Sequence, residues 1–118
     1  MGSTVFAVTF DCANAAELAG FWARVTDREV DADGSAAFAS VGLAEERPGL
    51  PRMMFFAVPE GKSAKNRVHL DLVAADLEAE VARLVSLGAT KGGEFNEAGA
   101  RWITLADPEG NEFDLVAA

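Results

Sequence analysis

The sequence has no tyrosine and only one histidine and one cysteine in 118 residues. A lone cysteine, Cys12, excludes an intrachain disulfide and fits a reducing compartment. Basic residues are scarce, 10 lysines and arginines against 19 aspartates and glutamates, so the net charge is -9. Such a surface repels phosphate backbones and anionic lipid, which argues against nucleic acid or a membrane as partner. No apolar run approaches the roughly 20 residues that a membrane span needs. The opening MGSTVFAVTF has no basic leader and too short an apolar stretch for a signal peptide. These absences point to a cytoplasmic globular protein.

What remains is rich in core-forming residues. Half of the chain, 50%, is hydrophobic, and its length suits one domain that buries a core without staples. TVFAVTF is β-branched and aromatic and reads as a strand. NAAELAGFWARV follows, with Asn14 where an N-cap belongs and Glu17 three positions on to complete a capping box. Leu18, Phe21, Trp22 and Val25 recur at helical spacing. REVDADGSAAFASVGLA offers two short strand-like pieces around an Asp-Gly turn, EERPGLP a loop, and RMMFFAVP a strongly apolar strand. EGKSAKN is polar and reads as a linker.

Beyond that linker the order repeats. RVHLDLV is a strand, and ADLEAEVARLVSLGA is a helix with the stripe Leu77, Val81, Leu84 and Val85 and a glycine cap at Gly88. TKGGEF is a short strand running into a turn, ARWITLA a longer strand, DPEG a turn, and NEFDLVA the last strand. Setting AVTFDCANAAELAGFW over HLDLVAADLEAEVARL places Ala7 over His69; setting MMFFAV over NEFDLV places Phe56 over Asp114. The small difference in offset belongs in the connecting loops. The architecture is α+β, one domain over 1–118 made of two tandem βαβββ modules, about 3–60 and 66–118.

Alternation sorts each strand into two faces. Phe6, Val8 and Phe10, then Val68, Leu70 and Leu72, then Ile103 and Leu105, then Phe113 and Leu115 suit the helix side. Val5, Ala7, Thr9, Met54, Phe56, Val58, His69, Asp71, Trp102, Thr104, Glu112 and Asp114 fall on the opposite side. That opposite face is apolar in the first module and acidic, with one imidazole, in the second. A mixed surface of this kind suits an organic ligand with one polar group.

The stretches FDCANAAELAGFW, KNRVHLDLVAADLEAEVARLVSLGA and RWITLADPEGNEFDLV together resemble the vicinal oxygen chelate superfamily of glyoxalases, bleomycin-resistance proteins and extradiol dioxygenases. LADPEGNEFDL after a tryptophan-bearing strand is the most specific piece. The resemblance implies curved sheets forming a cup with helices on its outer face. It also implies a divalent metal held by two ligands from each module, at positions matching Ala7, Phe56, His69 and Asp114. Two of these cannot bind a metal: alanine has no donor atom, and phenylalanine puts a ring where a carboxylate belongs. Thr9, Asp11, Asp71 and Glu112 stand near enough in sequence to substitute; the metal would then be Mn, Fe, Ni, Zn or Mg, and an oxygen-rich set with one imidazole suits Mn, Mg or Fe better than Zn.

The expectation is therefore a protein without a resident metal. It would hold an apolar or aromatic molecule between a Phe56/Met54 wall, with Ala7, Thr9, Asp71 and Trp102 nearby, and a His69/Asp114 end. The alternative is a lyase, isomerase or dioxygenase using His69 and Asp114 as metal ligands, or His69 as a general base held by Asp114. For His69 the plain structural role is a solvated residue bonded to Asp71 or Asp114. Trp22 and Cys12 belong to the core, and DPEG is a turn without the spaced carboxylates of a calcium loop. A homodimer is expected from the resemblance.

Overall fold

The computed structural model describes residues 1–45 and 47–118; Glu46, in the loop expected over 45–51, lies outside the described residues. The chain divides into two compact units, Met1–Gly61 and Lys62–Ala118.

In the first unit β1 (Ala7–Cys12), α1 (Ala15–Val25), β2 (Phe38–Val41) and β3 (Arg52–Ala57) form one helix on a three-stranded sheet of order β1-β3-β2. β1 runs parallel to β3, which the chain reaches through α1 and β2, and β2 is antiparallel to β3. Helix α1 starts where Asn14, in extended conformation, accepts the Glu17 N–H at 3.2 Å. Its whole predicted stripe, Leu18, Phe21, Trp22 and Val25, is buried. Phe10 packs between Trp22 and Phe55, with centroids 5.3 and 5.0 Å away. This aromatic stack joins helix to sheet.

The two strand-like pieces expected around the Asp-Gly turn reduce to one strand and a single bridge, Val30 to Val41. The reason is local. Ser35 Oγ accepts from the Ala37 and Phe38 N–H groups, and Asp33 adopts φ 69. Such side-chain-to-backbone bonds draw the chain into turns instead of a ladder.

The second unit contains β4 (Asp71–Ala74), α2 (Leu77–Leu87), β5 (Thr90–Glu97), β6 (Ala100–Ala106) and β7 (Glu112–Ala117), a complete βαβββ with sheet order β4-β7-β6-β5. Asp76 caps α2 by accepting the Ala79 N–H at 3.1 Å, and Gly88 ends it at φ 123, a conformation that favours glycine. Asp107 is 2% exposed and closes the DPEG turn by accepting the Glu109 and Asn111 N–H groups. Ile103, Leu105, Phe113 and Leu115 are buried as alternation requires.

Three predicted core residues are exposed. Val68 is 83% exposed, because the strand expected over RVHLDLV begins only at Asp71. The segment before it is tied to β7 through Asn66, whose backbone N–H donates to Glu112 Oε1, and through the Leu70 carbonyl, which accepts the Asp114 N–H. Val85 is 44% exposed, at the edge of a stripe of which only Leu77, Val81 and Leu84 are buried. Phe6 is 59% exposed and lies before β1, beneath the Arg52 guanidinium. The α+β class and the tandem two-module arrangement hold. Among the described residues no helix is long and apolar enough to cross a membrane.

Candidate ligand and metal site

The second unit's sheet turns one face to its helix and leaves the other open. Register aligns Asp71, Asp114 and Thr104 across β4, β7 and β6 in one row of the open face. The next row along the strands is Val73, Val116, Trp102 and Phe95. A polar row therefore lies beside an apolar one.

His69 stands just before β4, on the side of Asp71. Its Nδ1 is 2.9 Å from Asp71 Oδ1 and 3.7 Å from Asp114 Oδ2. Asp71, not Asp114, is thus the closer partner, contrary to the base–orienter pair expected from the sequence. Asp114 is fixed by its neighbours. Its Oδ1 accepts the Thr104 hydroxyl at 2.6 Å, and its backbone N–H donates to the Leu70 carbonyl at 2.9 Å. With Nδ1 engaged by Asp71, the ring nitrogen left to exchange a proton with a ligand is Nε2.

Trp102 and Phe95 stack, with centroids 5.4 Å apart and rings inclined by 18°. Trp102 was expected to face outward; Phe95 was not singled out. Its placement depends on a bulge, where the β5–β6 register shifts between Lys91 and Glu94. Gly92 sits so close to β6 that a Cβ there would lie 3.0 Å from the Thr104 carbonyl oxygen. A Cβ on Gly93 would press on the Phe95 ring at 3.0 Å. The adjacent glycines in KGGEF are the sequence signal for this feature.

The first unit's matching face bears no such polar row. Ala7 pairs with Arg52, Thr9 with Met54, and Asp11 with Phe56. Phe56 is 39% exposed and touches the Phe38 ring at 4.8 Å. Met53 and Phe55, of opposite phase, are buried.

A four-ligand metal centre divided between the modules does not fit this donor set, because Ala7 and Phe56 have no metal-binding atoms. His69, Asp71 and Asp114 do offer three donors in one unit, with ligand atoms within 4.8 Å of one another. Metal–ligand bonds of about 2.0–2.2 Å place neighbouring donors ~3–3.5 Å apart, so the three side chains would have to draw closer to hold a divalent cation, whose other ligands would come from outside the group. Glu112 does not join it. Its carboxylate accepts the Asn66 N–H at 3.1 Å and pairs with Lys62 at 3.0 Å, which holds its pKa down at about 2.

Two tandem modules, each a helix on a mixed sheet, give the chain the glyoxalase fold. More narrowly, residues 7–116 match the model of the glyoxalase-like domain family, and the chain belongs to that family. Among solved structures it is similar to a glyoxalase/bleomycin resistance protein/dioxygenase family enzyme from Burkholderia phytofirmans (TM-score 0.77, 16% identity, 98% of each chain covered). It is also similar to a variant of the fosfomycin resistance protein from Listeria monocytogenes complexed with Mn(II) and a dihydroxypropylphosphonic acid. There the TM-score is 0.76 at 13% identity, covering 98% of this chain and 90% of that one. The lactoylglutathione lyase of Agrobacterium tumefaciens gives TM-score 0.66 and 13% identity over 100% of this chain and 96% of that one. No curated protein matches.

Proposed function

We propose that this protein binds a small, flat, largely apolar organic molecule on the open sheet face of its second unit, without a resident metal. The observation that carries the reading is the stacked Phe95–Trp102 pair in the row beside Asp114 and Thr104. Aromatic faces bind a flat ligand through area and stacking, and the adjacent carboxylates and imidazole orient its polar group. The missing donors at Ala7 and Phe56 support binding in preference to metal-dependent turnover. Relatives of known structure include a complex with a small phosphonic acid, which accords with a small-molecule partner. A cytoplasmic homodimer is the expected state, and light scattering on the purified protein tests the stoichiometry.

A second reading is favoured by the His69–Asp71–Asp114 group alone: a lyase, isomerase or dioxygenase with a substituted metal site. A bound divalent ion would supply Lewis acidity there, and Mn, Fe or Mg suits the oxygen-rich donors better than Ni or Zn. Where no metal is bound, His69 can exchange a proton with the ligand through Nε2.

Elemental mass spectrometry on untagged protein and its His69→Ala variant separates the two. The binding reading expects no stoichiometric metal after loading with Mn, Fe, Ni or Zn, and retained binding of the neutral aromatic probe 2-naphthol. Stoichiometric metal that disappears in His69→Ala would overturn it in favour of the metalloenzyme.

A further inference from the structure

Phe95 reaches the open face of the second unit only through an irregularity in β5. Lys91 pairs with Leu105 and Glu94 with Ile103, so Gly92 and Gly93 together stand opposite the single residue Thr104. Leu105 and Ile103 are buried on the helix side, and residues paired across strands share a face. Lys91 and Glu94 therefore both take the helix side of this edge strand, where their side chains pair at 2.8 Å. In an unbroken ladder, alternation from Lys91 would carry Phe95 to that same side. The extra residue reverses the phase, and Phe95 pairs with Trp102 on the open face.

The two glycines are glycine for different reasons. A Cβ on Gly92 would meet the backbone of β6 at the Thr104 carbonyl oxygen, 3.0 Å away. For Gly93 the three nearest atoms all belong to the Phe95 ring: Cζ at 3.0 Å, Cε2 at 3.1 Å and Cε1 at 3.9 Å. Gly93 has no positive φ, so its backbone conformation does not itself demand glycine. What glycine provides there is room, because the far end of the Phe95 ring lies where a side chain would stand. The ring is thereby laid beside Trp102, with centroids 5.4 Å apart and planes inclined by only 18°. Phe95 remains 42% exposed, so the pair stays open to a ligand.

We infer that Gly93 is a positioning residue that makes this face selective for planar ligands. Its missing side chain lets Phe95 lie nearly parallel to Trp102, and two aligned rings give a planar molecule a common stacking direction. A larger residue at 93 would take the seat of the ring and turn Phe95 away from Trp102. The face would stay apolar but lose its alignment, and a rounded molecule would then fit it no worse than a flat one. The inference rests on the proposed binding of a flat apolar ligand to this face, and it adds the residue that sets the selectivity. A ring laid over a strand glycine can also serve stability alone; ligand selectivity separates the two roles.

The test is calorimetric titration of the full chain with 2-naphthol and with 1-adamantanol, a rounded alcohol of equal carbon number. Wild type should bind 2-naphthol about tenfold tighter, the value of about one aromatic pair. Gly93→Val should lose about tenfold in 2-naphthol affinity and Gly93→Ala about threefold, while 1-adamantanol changes by less than about twofold in either. The loss in Gly93→Val should vanish in a Phe95→Ala background, because the effect passes through that ring. Nuclear Overhauser contacts between the Phe95 and Trp102 rings should weaken in the same order. Should Gly93→Val not fold, Gly93→Ala carries the same comparisons. An unchanged 2-naphthol affinity in the folded variants, an equal loss for both alcohols, or a loss that persists without Phe95 would overturn the inference and leave the binding reading standing. No saturable binding of 2-naphthol by the wild type would overturn both.

Discussion

The two units are built to one plan and differ in what their side chains do. In the first, helix α1 buries seven residues, including both Phe21 and Trp22, and an aromatic stack ties it to the sheet. In the second, α2 buries only Leu77, Val81 and Leu84. The open faces differ in the opposite sense. Ala7 and Phe56 contribute no donor atoms, whereas His69, Asp71 and Asp114 converge on one another. Duplication supplies two equivalent scaffolds, and side-chain replacement then assigns packing mainly to one and polar chemistry to the other.

Substitutions at aligned positions probe this division, and the largest effects belong to the cores. The repeat that sets Ala7 over His69 also sets Trp22 over Leu84, residues that are 1% and 0% exposed. Trp22→Ala should cost about 4 kcal/mol and Leu84→Ala about 3 kcal/mol, read from denaturant unfolding. If Leu84→Ala proved the costlier, the contrast in packing would be wrong. A smaller effect is expected at Thr104→Val, which removes the hydroxyl bonded to Asp114. We expect a loss of about 1 kcal/mol in stability and a several-fold fall in 2-naphthol affinity measured by calorimetry. Thr9→Val, on the first unit's face, should leave that affinity unchanged.

The smallest effect concerns pH. Glu112 is held at about 2 by the Asn66 N–H first and Lys62 next, below its ordinary value near 4.5. A depressed carboxylate contributes stability that is complete above its unfolded pKa and is lost as pH falls through its folded one. The tie between Glu112 and Asn66 should therefore weaken only between about pH 4.5 and pH 2. Amide-exchange protection of Asn66 should fall across that window, and Glu112→Gln should remove the dependence. Protection lost above pH 5 would exclude this origin.

Much of this was legible because alternation is reliable where a strand is paired on both sides. β3, β6 and β7 are such strands, and their inward residues Met53, Phe55, Ile103, Leu105, Phe113 and Leu115 are all buried. It failed at the margins. Val68 and Phe6 precede the edge strands β4 and β1, where phase along the chain does not guarantee cover. Phe95 was unreadable for another reason: the bulge at Gly92 and Gly93 breaks the two-residue period, and only cross-strand register brings the ring onto Trp102. The direct pairing of His69 with Asp71 was one of two partners the sequence allowed, and geometry selects it.

The central claim is that the organic ligand binds on the second unit's open face. Mapping 2-naphthol onto the amide spectrum of the whole chain tests it most directly. The account predicts saturable shifts at Val73, Phe95, Trp102, Thr104, Asp114 and Val116, lost in Trp102→Ala without loss of fold. Shifts confined to the first unit, or undiminished in Trp102→Ala, would contradict it.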